Sequence, residues 1–427
     1  MILAIGLATL IADWHDQYGP IICVRFGSLK IIFLGSYEVV HELLEKRGSN
    51  YSSRPQFLAD RVSNGLLPTF LPYAEKWKAH HRLHSSLLTL QASQQYQALQ
   101  EVESLQLVWE LLEPHADFAA RFQRYASSQI FALAYGKRMP RGDEEQVREL
   151  DEIMAGILQG INLGNEVFPV LKYLPRPPSP DHPTSLLSTA DLWYNIGALY
   201  EAGTDSTAIL LEVFMLAMVL HPIAQRRAQH ELDTVLGTTP RLPALTDLSS
   251  LPYTRALISE LLRWRHPSPG GLHHATTAAD FYRGFHIPGD TAVVANHFSA
   301  DTDPALFPDP LAFEPERWLR NPGLPVSAFG FGRRACPGRY LGWNSVAIAV
   351  ARLLWVYEIV PQRDRLGREV VPDPWDLTQG IGVRPRCVRA RVRVRGGCIG
   401  VGERRGIVER AWEGLGGDVD LRELLGV

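Results

Sequence analysis

The feature that most constrains this 427-residue chain is a glycine-rich loop with one cysteine, placed after two arginines and before an apolar helical run. The loop reads Phe-Gly-Phe-Gly-Arg-Arg-Ala-Cys-Pro-Gly over residues 329–338. A thiolate needs neighbouring positive charge or backbone N–H groups to stay ionised, and glycine lets the backbone approach a flat ligand closely. A lone cysteine is more often a small buried hydrophobic residue. A glycine-rich loop of this kind can nevertheless hold a cysteine thiolate against a metal.

Composition places the chain among large soluble enzymes. It is 46% hydrophobic with a net charge of −3, which suits one large core or two modest domains. Its cysteines show neither a disulfide framework nor a Cys-x-x-Cys zinc pattern, so a reducing compartment is favoured. The near-neutral charge gives no reason to expect nucleic acid as a partner. The four cysteines are Cys23, Cys336, Cys387 and Cys398.

No stretch of the sequence is expected to span a membrane. The apolar segment at residues 1–13 is shorter than the about 20 residues that a spanning helix needs, and it lacks the basic start of a signal peptide. The longest other apolar stretch, residues 209–220, follows Asp205 and contains Glu212. We therefore expect a soluble or at most peripheral protein.

Hydrophobic periodicity predicts a mainly α fold with a small β region. Helices are expected at residues 37–46, 73–90, 94–112, 116–135, 144–158, 187–220, 223–236, 253–263 and 340–356. Strands are expected at residues 21–26 and 30–34 and within 270–296. The small β portion is divided between the two ends of the chain, which is an α+β pattern without βαβ alternation. The Arg-Val-Arg-Val-Arg run near Val392 predicts an edge strand with one solvated arginine face.

The cysteine loop resembles the haem-binding loop of cytochrome P450 monooxygenases, written Phe-x-x-Gly-x-Arg-x-Cys-x-Gly. Its fixed positions are filled by Phe329, Gly332, Arg334, Cys336 and Gly338. The resemblance implies a P450 fold, haem b (iron protoporphyrin IX) as cofactor, and Cys336 as the iron ligand. Residues 51–55, Tyr-Ser-Ser-Arg-Pro, give the chain the character of the fungal, microsomal members.

Two further segments resemble the structural network of the same family. Glu260 and Arg263 lie three residues apart and share one helix face, although alone such a pair is usually a weak surface ion pair. They resemble the family's Glu-x-x-Arg motif, and residues 313–318 resemble the segment that supplies a second arginine, Arg317. The resemblance implies that Glu260 lies between the two arginines and that the network holds the cysteine loop.

The long helix expected at residues 187–220 contains Ala-Gly-Thr-Asp-Ser-Thr at positions 202–207. Small residues in mid-helix are usually a packing device, but a hydroxyl that bonds to the preceding turn can also bend a helix. The segment resembles the oxygen-binding groove of P450s, which implies proton delivery by Asp205 with Ser206 or Thr207. The family usually has Thr directly after the acid, whereas Ser206 keeps the hydroxyl and lacks the stiff methyl group.

The two haem propionates need donors, which the resemblance assigns in part. The family's Trp-x-x-x-Arg begins here at Trp77, but its fourth following position is His81, so the contact is expected to shift to Arg82. A neutral histidine offers one donor where arginine offers a charged fork. Arg334 and His274 align with the other expected propionate contacts.

A histidine cluster, His80, His81 and His84, offers a rival metal site because His80 and His84 are one helical turn apart. A zinc-protease helix would carry Glu directly after the first histidine, and His81 stands there instead. A solvated basic helix is therefore expected.

The resemblance covers residues 14–395 as a single haem domain, preceded by the short apolar segment at 1–13 and followed by a divergent tail at 396–427. Three departures are expected. The family's N-terminal membrane anchor is absent, and the tail has an unfamiliar composition. A proline-rich break at residues 175–183 leads almost directly into the oxygen-binding helix, so part of the distal roof is expected to be missing.

The implied reaction is reductive activation of O₂ and insertion of one oxygen atom into an apolar organic substrate. The chain has no flavin or nicotinamide fingerprint, so electrons are expected from a separate NADPH-cytochrome P450 reductase. Its basic docking face could include Lys76, Lys78, Arg333 and Arg339. The candidate substrate-lining segments are residues 57–70, 195–203, 268–272 and 380–381.

Two alternatives stay open on the sequence alone. One is a haem-thiolate enzyme that does not hydroxylate, such as a peroxygenase or an isomerase. The other is an inactive, truncated remnant that still binds haem. Localisation also stays open, between the endoplasmic reticulum surface that the resemblance implies and the cytoplasm that the chain itself suggests.

Overall fold

The computed structural model describes residues 5–27, 29–56, 65–113, 116–159, 188–237, 240–415 and 421. Within these residues the protein is mainly helical, with three small β-sheets. The expected gap in the distal roof, at residues 175–183, lies outside the described residues. So does the first part of a candidate substrate-lining segment, residues 57–64.

The α-helices carry most of the described chain. They are α1 Ile5–Tyr18, α2 Tyr37–Val40, α3 Gly48–Tyr51, α4 Glu75–Leu87, α5 Leu90–Gln95, α6 Gln97–Glu110, α7 Phe118–Tyr135, α8 Glu145–Gln159, α9 Thr189–Leu220, α10 Pro222–Leu236, α11 Pro252–Trp264, α12 His297–Asp301, α13 Glu316–Arg320, α14 Arg339–Val356 and α15 Val401–Gly414. The helix expected at 37–46 is formed by α2 and a π-helical turn, His41–Lys46. The single helix expected at 94–112 is divided near Tyr96 into α5 and α6.

Nine strands form the sheets of the described chain. They are β1 Ile21–Phe26, β2 Leu29–Leu34, β3 His274–Ala275, β4 Asp280–Tyr282, β5 Phe285–Ile287, β6 Ala292–Ala295, β7 Tyr357–Arg363, β8 Glu369–Val370 and β9 Ala390–Val394. The first sheet has the order β1-β2-β6-β3, with β2 and β6 parallel and the other pairs antiparallel. β4 and β5 form a hairpin, and the third sheet has the order β8-β7-β9. The arginine run therefore lies on an edge strand, with Arg391 and Arg393 exposed.

Local sequence signals begin and end the helices that frame the site. α9 begins with a capping box, in which Ser188 and Asp191 each accept a backbone N–H from the other residue. The Asp117 carboxylate caps α7 by accepting the Ala119 N–H at 3.0 Å. α7 ends at Gly136, whose φ of 65° is the left-handed conformation that glycine tolerates.

The long helix α9 forms the centre of the core, packed against α7 and α14. Its stretch Tyr194–Leu220 is long and apolar enough to cross a membrane, with a mean hydropathy of 1.6. The expectation that no stretch would qualify was wrong, because Asp205 and Glu212 are too few to offset the surrounding apolar residues. Since 78% of the most apolar window is buried inside the protein, its composition is explained by packing in the core.

The described part of the tail packs on the same core as the rest of the chain. α15 contacts α6, where Trp412 stacks on Trp109 with ring centroids 5.2 Å apart. Val408 is fully buried, and so is Arg404, whose guanidinium lies 4.5 Å from the Trp355 ring centroid. The folded tail is thus an integral part of the molecule's helical layer.

Candidate haem site

The cysteine loop is shaped by two glycines with positive φ. Gly330 has a φ of 70° and Gly332 a φ of 58°, a region that other residues rarely adopt. A Cβ at Gly332 would lie 2.1 Å from the carbonyl oxygen of Leu44 in the π-helical turn, so no larger residue fits there. The Cys336 N–H donates to the Phe329 carbonyl at 2.7 Å and closes the loop. These constraints fix the position from which the sulfur leaves the loop.

Cys336 itself is a half-buried free thiol at the N-terminal end of α14. Burial raises the pKa of the Cys336 thiol, while the Gly338 backbone N–H and Arg339 oppose this rise. These two groups do not outweigh the lost hydration of the thiolate. A bound cation would stabilise the ionised sulfur, since metal coordination deprotonates a thiol outright. The loop therefore suits a metal-ligating cysteine.

Arg334 of the loop is held over an aromatic ring on α4. Its guanidinium lies 4.2 Å from the Trp77 ring centroid and donates to the carbonyls of Ser52 and Leu71, both at 2.7 Å. Burial, followed by the charge of Arg54, lowers the pKa of Arg334 to about 8. Two of the predicted cofactor contacts, Trp77 and Arg334, are thus brought together.

Arg54 is a second buried cation that the sequence reasoning missed. Only 6% of it is exposed, and it donates to the carbonyls of Thr69 at 3.1 Å and His273 at 2.6 Å. Burial lowers its pKa to about 10. Among the described residues, neither Arg54 nor Arg334 has a carboxylate partner. The available signal was its place in the family-like segment at residues 51–55.

Two buried guanidinium groups without a carboxylate partner suit an anionic ligand. A buried charge is costly unless it is paired, and arginine forms its strongest hydrogen bonds with carboxylate or phosphate oxygens. The two propionates of haem are such carboxylates. The residues present therefore fit the cofactor that the cysteine loop implies.

The other two predicted propionate contacts are His274 and Arg82. His274 carries no charge, and Arg82 does not lie against Trp77. His274 is buried, and its Nδ1 lies 2.8 Å from the Tyr51 carbonyl. Burial, followed by Arg54, lowers the pKa of His274 well below its usual value, so the ring is neutral. On α4, His81 is the residue that lies against Trp77, with ring centroids 4.7 Å apart. Arg82 is exposed, because one residue along a helix turns the side chain by about 100°.

The carboxylate of Glu260 lies at the centre of a buried network. Arg263 binds it in bidentate fashion, with Nη2–Oε1 at 2.6 Å and Nε–Oε2 at 2.9 Å. Arg317 Nε lies 3.2 Å from Oε1. The Trp318 indole also donates to Oε2 at 2.8 Å, a contact that the sequence reasoning did not identify. Glu260 is fully buried and each arginine is 3% exposed, so the partners depend on each other.

The proton-delivery candidates lie on different sides of α9. Ser206 is exposed, and its hydroxyl donates to the Ala202 carbonyl at 2.6 Å, which is the back-bonding that bends helices. Thr207 is buried, with 7% of it exposed. Of the two candidate hydroxyls, only Ser206 is accessible to a ligand.

Asp205 is bound by groups outside α9. Its Oδ1 lies 3.3 Å from Arg384 Nη2 and 3.5 Å from Gln123 Nε2. The same arginine lies 3.4 Å from Glu212, whose pKa is raised to about 7 by burial despite the opposing charge of Arg384. Among the described residues, no hydrogen bond joins Asp205 to Ser206. Arg384 and Gln123 were not identified from the sequence.

The histidine cluster on α4 is not the solvated surface that was expected. His80 is fully buried, 2.5 Å from the Asn195 amide nitrogen and 3.7 Å from Asp191. Burial also lowers the pKa of His84 to about 4. His80 is buried because α9 covers this face of α4. The described residues contain no His, Cys, Asp or Glu group suited to a metal ion, which disfavours the rival metal site.

Comparison with known proteins shows which family the chain resembles. The family model of cytochrome P450 matches residues 6–184 and 178–375. The chain is 40% identical to cytochrome P450 monooxygenase aneD of Aspergillus aculeatus, over 92% of this chain and 84% of that protein. It is 36% identical to cytochrome P450 monooxygenase drtD of Aspergillus calidoustus, over 90% and 81% respectively.

The fold is also that of solved P450 structures. A zebra fish cytochrome P450 solved with abiraterone superposes with a TM-score of 0.75 at 23% identity, covering 91% of this chain and 100% of that chain. The chain belongs to the cytochrome P450 family. The predicted family, mainly α fold, haem cofactor and haem-thiolate monooxygenase class are thereby confirmed.

Proposed function

We propose that the Cys336 thiolate would hold the iron of haem b in a monooxygenase that oxidises an apolar organic substrate. The observation that carries this proposal is the glycine-shaped loop around Cys336. It lies beside the buried Arg54 and the partly buried Arg334, which have no carboxylate partner among the described residues. Bound haem supplies the oxygen chemistry, and thiolate ligation favours O–O bond cleavage. The protein binds and orients the reactants, excludes water and moves protons.

Different residues of the chain would bind the haem propionates and position the cysteine loop. Arg54 and Arg334 hold the propionates, and Trp77 packs beneath the Arg334 guanidinium. Burial lowers the pKa of both His81 and His274, so each ring is neutral and would contribute a single hydrogen bond and no charge. The Glu260 network fixes the segment that leads into the loop, because Arg263 and Arg317 also donate to carbonyls between Asp301 and Ala312.

Proton delivery is assigned to Asp205 and Ser206. The Asp205 side chain is 47% exposed and can exchange protons with solvent. The Ser206 hydroxyl must release the Ala202 carbonyl before it can donate to a ligand. A general acid within hydrogen-bond reach of the reacting oxygen accelerates such a step by roughly 10²–10⁴-fold.

A separate NADPH-cytochrome P450 reductase is the proposed electron donor. Three of the four candidate docking residues, Lys78, Arg333 and Arg339, have exposed or partly exposed charges. Lys76 is less suited, since its ammonium lies 2.6 Å from the buried carboxylate of Asp191. The docking face is therefore centred on the cysteine loop and its neighbour α4.

A shortened distal side belongs to the same proposal. The two family matches meet at residues 178–184, within the proline-rich break. The alignment with the Aspergillus aculeatus protein is 435 residues long, more than the whole chain, so that protein has residues for which this chain has none. A more open distal side admits water and favours uncoupled release of hydrogen peroxide.

The spectrum of the reduced, CO-bound protein tests the proposal. We expect a thiolate-type Soret band in the wild type and its complete loss in Cys336→Ala. Cys387→Ala, which removes an exposed cysteine, is the matched control and should keep the band. A wild-type protein that binds haem without the thiolate-type band would overturn the assignment.

A further inference from the structure

Asp301, at the end of α12, is a buried carboxyl that the site described above does not use. Only 3% of it is exposed. Its Oδ1 lies 2.6 Å from the Ser327 hydroxyl, and its Oδ2 has no hydrogen-bond partner among the described residues. An ionised carboxylate in this position would be poorly compensated, since buried charges need partners for both oxygens.

The nearest cation cannot supply the missing bond. Arg263 has five N–H donors, and Glu260 and three backbone carbonyls take them all. The carbonyls are those of Asp301 at 2.9 Å, Pro310 at 2.7 Å and Ala312 at 3.0 Å. Burial therefore raises the pKa of Asp301 to about 7, against the weaker effects of Ser327 and Arg263.

The remaining charged or titratable neighbours do not neutralise Asp301 either. Arg265 lines the same small cavity, but its guanidinium stacks on Trp264 and Trp375 and donates to the carbonyls of Trp264 and Pro374. Glu260 is acidic and raises the pKa of Asp301 further. The cavity that Arg265 and Asp301 line has a volume of about 10 Å³, which leaves room for one water molecule at most.

Two stacked histidines extend the series of side-chain contacts from Asp301 toward the cysteine loop. His297 Nδ1 lies 3.1 Å from the Ser327 hydroxyl, and its ring stacks on His266 with centroids 4.9 Å apart and planes 4° apart. His266 donates from Nε2 to the Ala328 carbonyl at 2.9 Å and accepts the Ser268 N–H at Nδ1. These bonds fix His266 as neutral, and burial lowers the pKa of both rings.

These contacts reach the two residues that come directly before the cysteine loop. Ser327 and Ala328 directly precede Phe329, whose carbonyl accepts the Cys336 N–H. His297 also packs on Phe331 of the loop, with ring centroids 5.3 Å apart. Movement of Ser327 would therefore be passed to the backbone that carries the cysteine.

We propose that Asp301 is a positioning residue of the haem-binding loop, which holds the loop through Ser327 and His297 as the neutral acid and releases it on ionisation. The inference rests on the proposed ligation of haem by Cys336. A neutral carboxyl needs no counter-charge, whereas the ionised form leaves an uncompensated buried charge that favours opening of this segment. The loop is thus held most firmly below neutral pH.

The sign of the pH effect follows from proton binding. The folded-state pKa of Asp301, about 7, lies above the ordinary value of 3.8. The folded protein therefore binds more protons than the unfolded chain between these values. Its stability falls as pH rises through this window. Asp301→Asn keeps an oxygen for the Ser327 hydroxyl and cannot ionise, so it should remove this pH dependence.

The test compares full-length, haem-loaded wild type, Asp301→Asn and Asp301→Leu. The measurement is the rate at which the thiolate-type Soret band of the reduced, CO-bound protein is lost across neutral pH. We expect the wild type to lose it about tenfold faster above neutrality than below, since one pKa unit corresponds to a factor of ten. Asp301→Asn should stay slow throughout, and Asp301→Leu should be fast throughout. Asp303→Asn, two residues further on and partly exposed, should behave as the wild type.

Equal pH profiles for the wild type and Asp301→Asn would overturn the proposal. Thermal unfolding of the haem-free proteins against pH gives a second readout, which requires neither iron nor the leucine variant to fold. Asp301→Asn should show a flatter curve between about pH 4 and pH 7, and an unchanged slope would again overturn the proposal. Absence of a thiolate-type band in every protein would instead refute ligation by Cys336, so the two failures are distinguishable.

Discussion

At the scale of single residues, the site combines neutral histidines with arginines that have no carboxylate partner in the described part of the chain. His81 and His274 occupy positions where the family resemblance led us to expect propionate contacts, and both are uncharged. The positive charge comes from Arg334 and from Arg54, which are buried and bonded to backbone carbonyls. Haem retention should therefore depend on these two guanidinium groups.

Arg54→Ala is expected to speed the loss of haem. Removing a charge-assisted hydrogen bond costs about 1.5–3 kcal/mol, which corresponds to roughly a 10- to 150-fold faster transfer of haem to excess apomyoglobin. Arg333→Ala is the matched control, because Arg333 lies in the cysteine loop but is exposed. Equal rates for the two variants would contradict the role of Arg54.

Ser206→Ala is expected to raise the hydrogen peroxide released per NADPH consumed, several-fold, when the reductase is present. The variant lacks the accessible hydroxyl, so the proton that Ser206 would donate during the reaction is no longer supplied from this position. Ser206→Thr keeps the hydroxyl and should stay near the wild-type ratio. If Thr207→Ala raises the ratio instead, the buried hydroxyl is the relay and the assignment to Ser206 is wrong.

At the scale of secondary-structure elements, one part of α9 must be buried and another part must remain accessible. Its C-terminal half is packed in the core, whereas its middle carries Asp205 and Ser206 with partial exposure. Arg384 joins this middle to the segment after β8 by binding Asp205 and Glu212. A second set of charges, around Glu260, joins α11 to α13.

Glu260→Ala is expected to destabilise the protein by about 3–5 kcal/mol. It leaves the buried Arg263 without its carboxylate and leaves Arg317 with only the partly exposed Glu314. Urea unfolding of the haem-free protein measures the change. The control Glu314→Ala removes a half-exposed carboxylate that binds Arg317 and Arg320, and its effect should be within about 1 kcal/mol. Similar losses for both variants would show that the network is not specifically held by Glu260.

Glu212→Gln is expected to flatten the pH dependence of stability. Burial raises the folded-state pKa of Glu212 from 4.5 to about 7, so the folded wild type binds the extra proton and loses stability as pH rises between these values. The variant should lack this contribution, which is at most about 3 kcal/mol. Thermal unfolding at several pH values checks it, with the partly exposed Glu358→Gln as control. An unchanged slope would contradict the burial of an acidic group.

At the scale of the whole molecule, the described tail helix shares the core of the haem domain. Asp233 on α10 binds Arg395 in bidentate fashion, at 2.6 and 2.8 Å, and lies 3.5 Å from the buried Arg404. Arg404 also donates to the Trp355 carbonyl at the end of α14. The tail thereby closes over the end of the helix that begins at the cysteine loop.

Arg404→Ala is expected to lower stability by about 2–4 kcal/mol, because it leaves a cavity and removes buried hydrogen bonds. Thermal unfolding of the full chain measures this. Arg405→Ala changes the next residue, which is exposed and pairs only with Glu409 among the described residues, and should stay within about 0.5 kcal/mol. If both variants have the same midpoint of thermal unfolding, the buried contacts of Arg404 do not stabilise the protein.

Patterns that depend on local chemistry were predictable from the sequence. The glycines of the cysteine loop, the spacing of Glu260 and Arg263, and the periodicity of α9 and α14 are properties of contiguous segments. Arg54 and Arg384 could not be assigned in this way, because their partners lie at distant positions in the chain. The same holds for Asp301, because burial raises its pKa and the opposing effects of Ser327 and Arg263 offset this rise only in part.

The sequence by itself indicated the family, the cysteine proposed to bind iron, the mainly helical class and the two arginines that bind Glu260, since these depend on residue types at fixed spacing. It did not indicate Trp318, which also donates to Glu260. Only the tertiary structure decided which groups are buried and which are free. In the tertiary structure His80 is buried beneath α9 and Arg82 is exposed, and within the described ranges Arg54 and Arg334 have no carboxylate partner. The physical reason is that desolvation and pairing depend on what surrounds a residue in space, and linear spacing carries no such information.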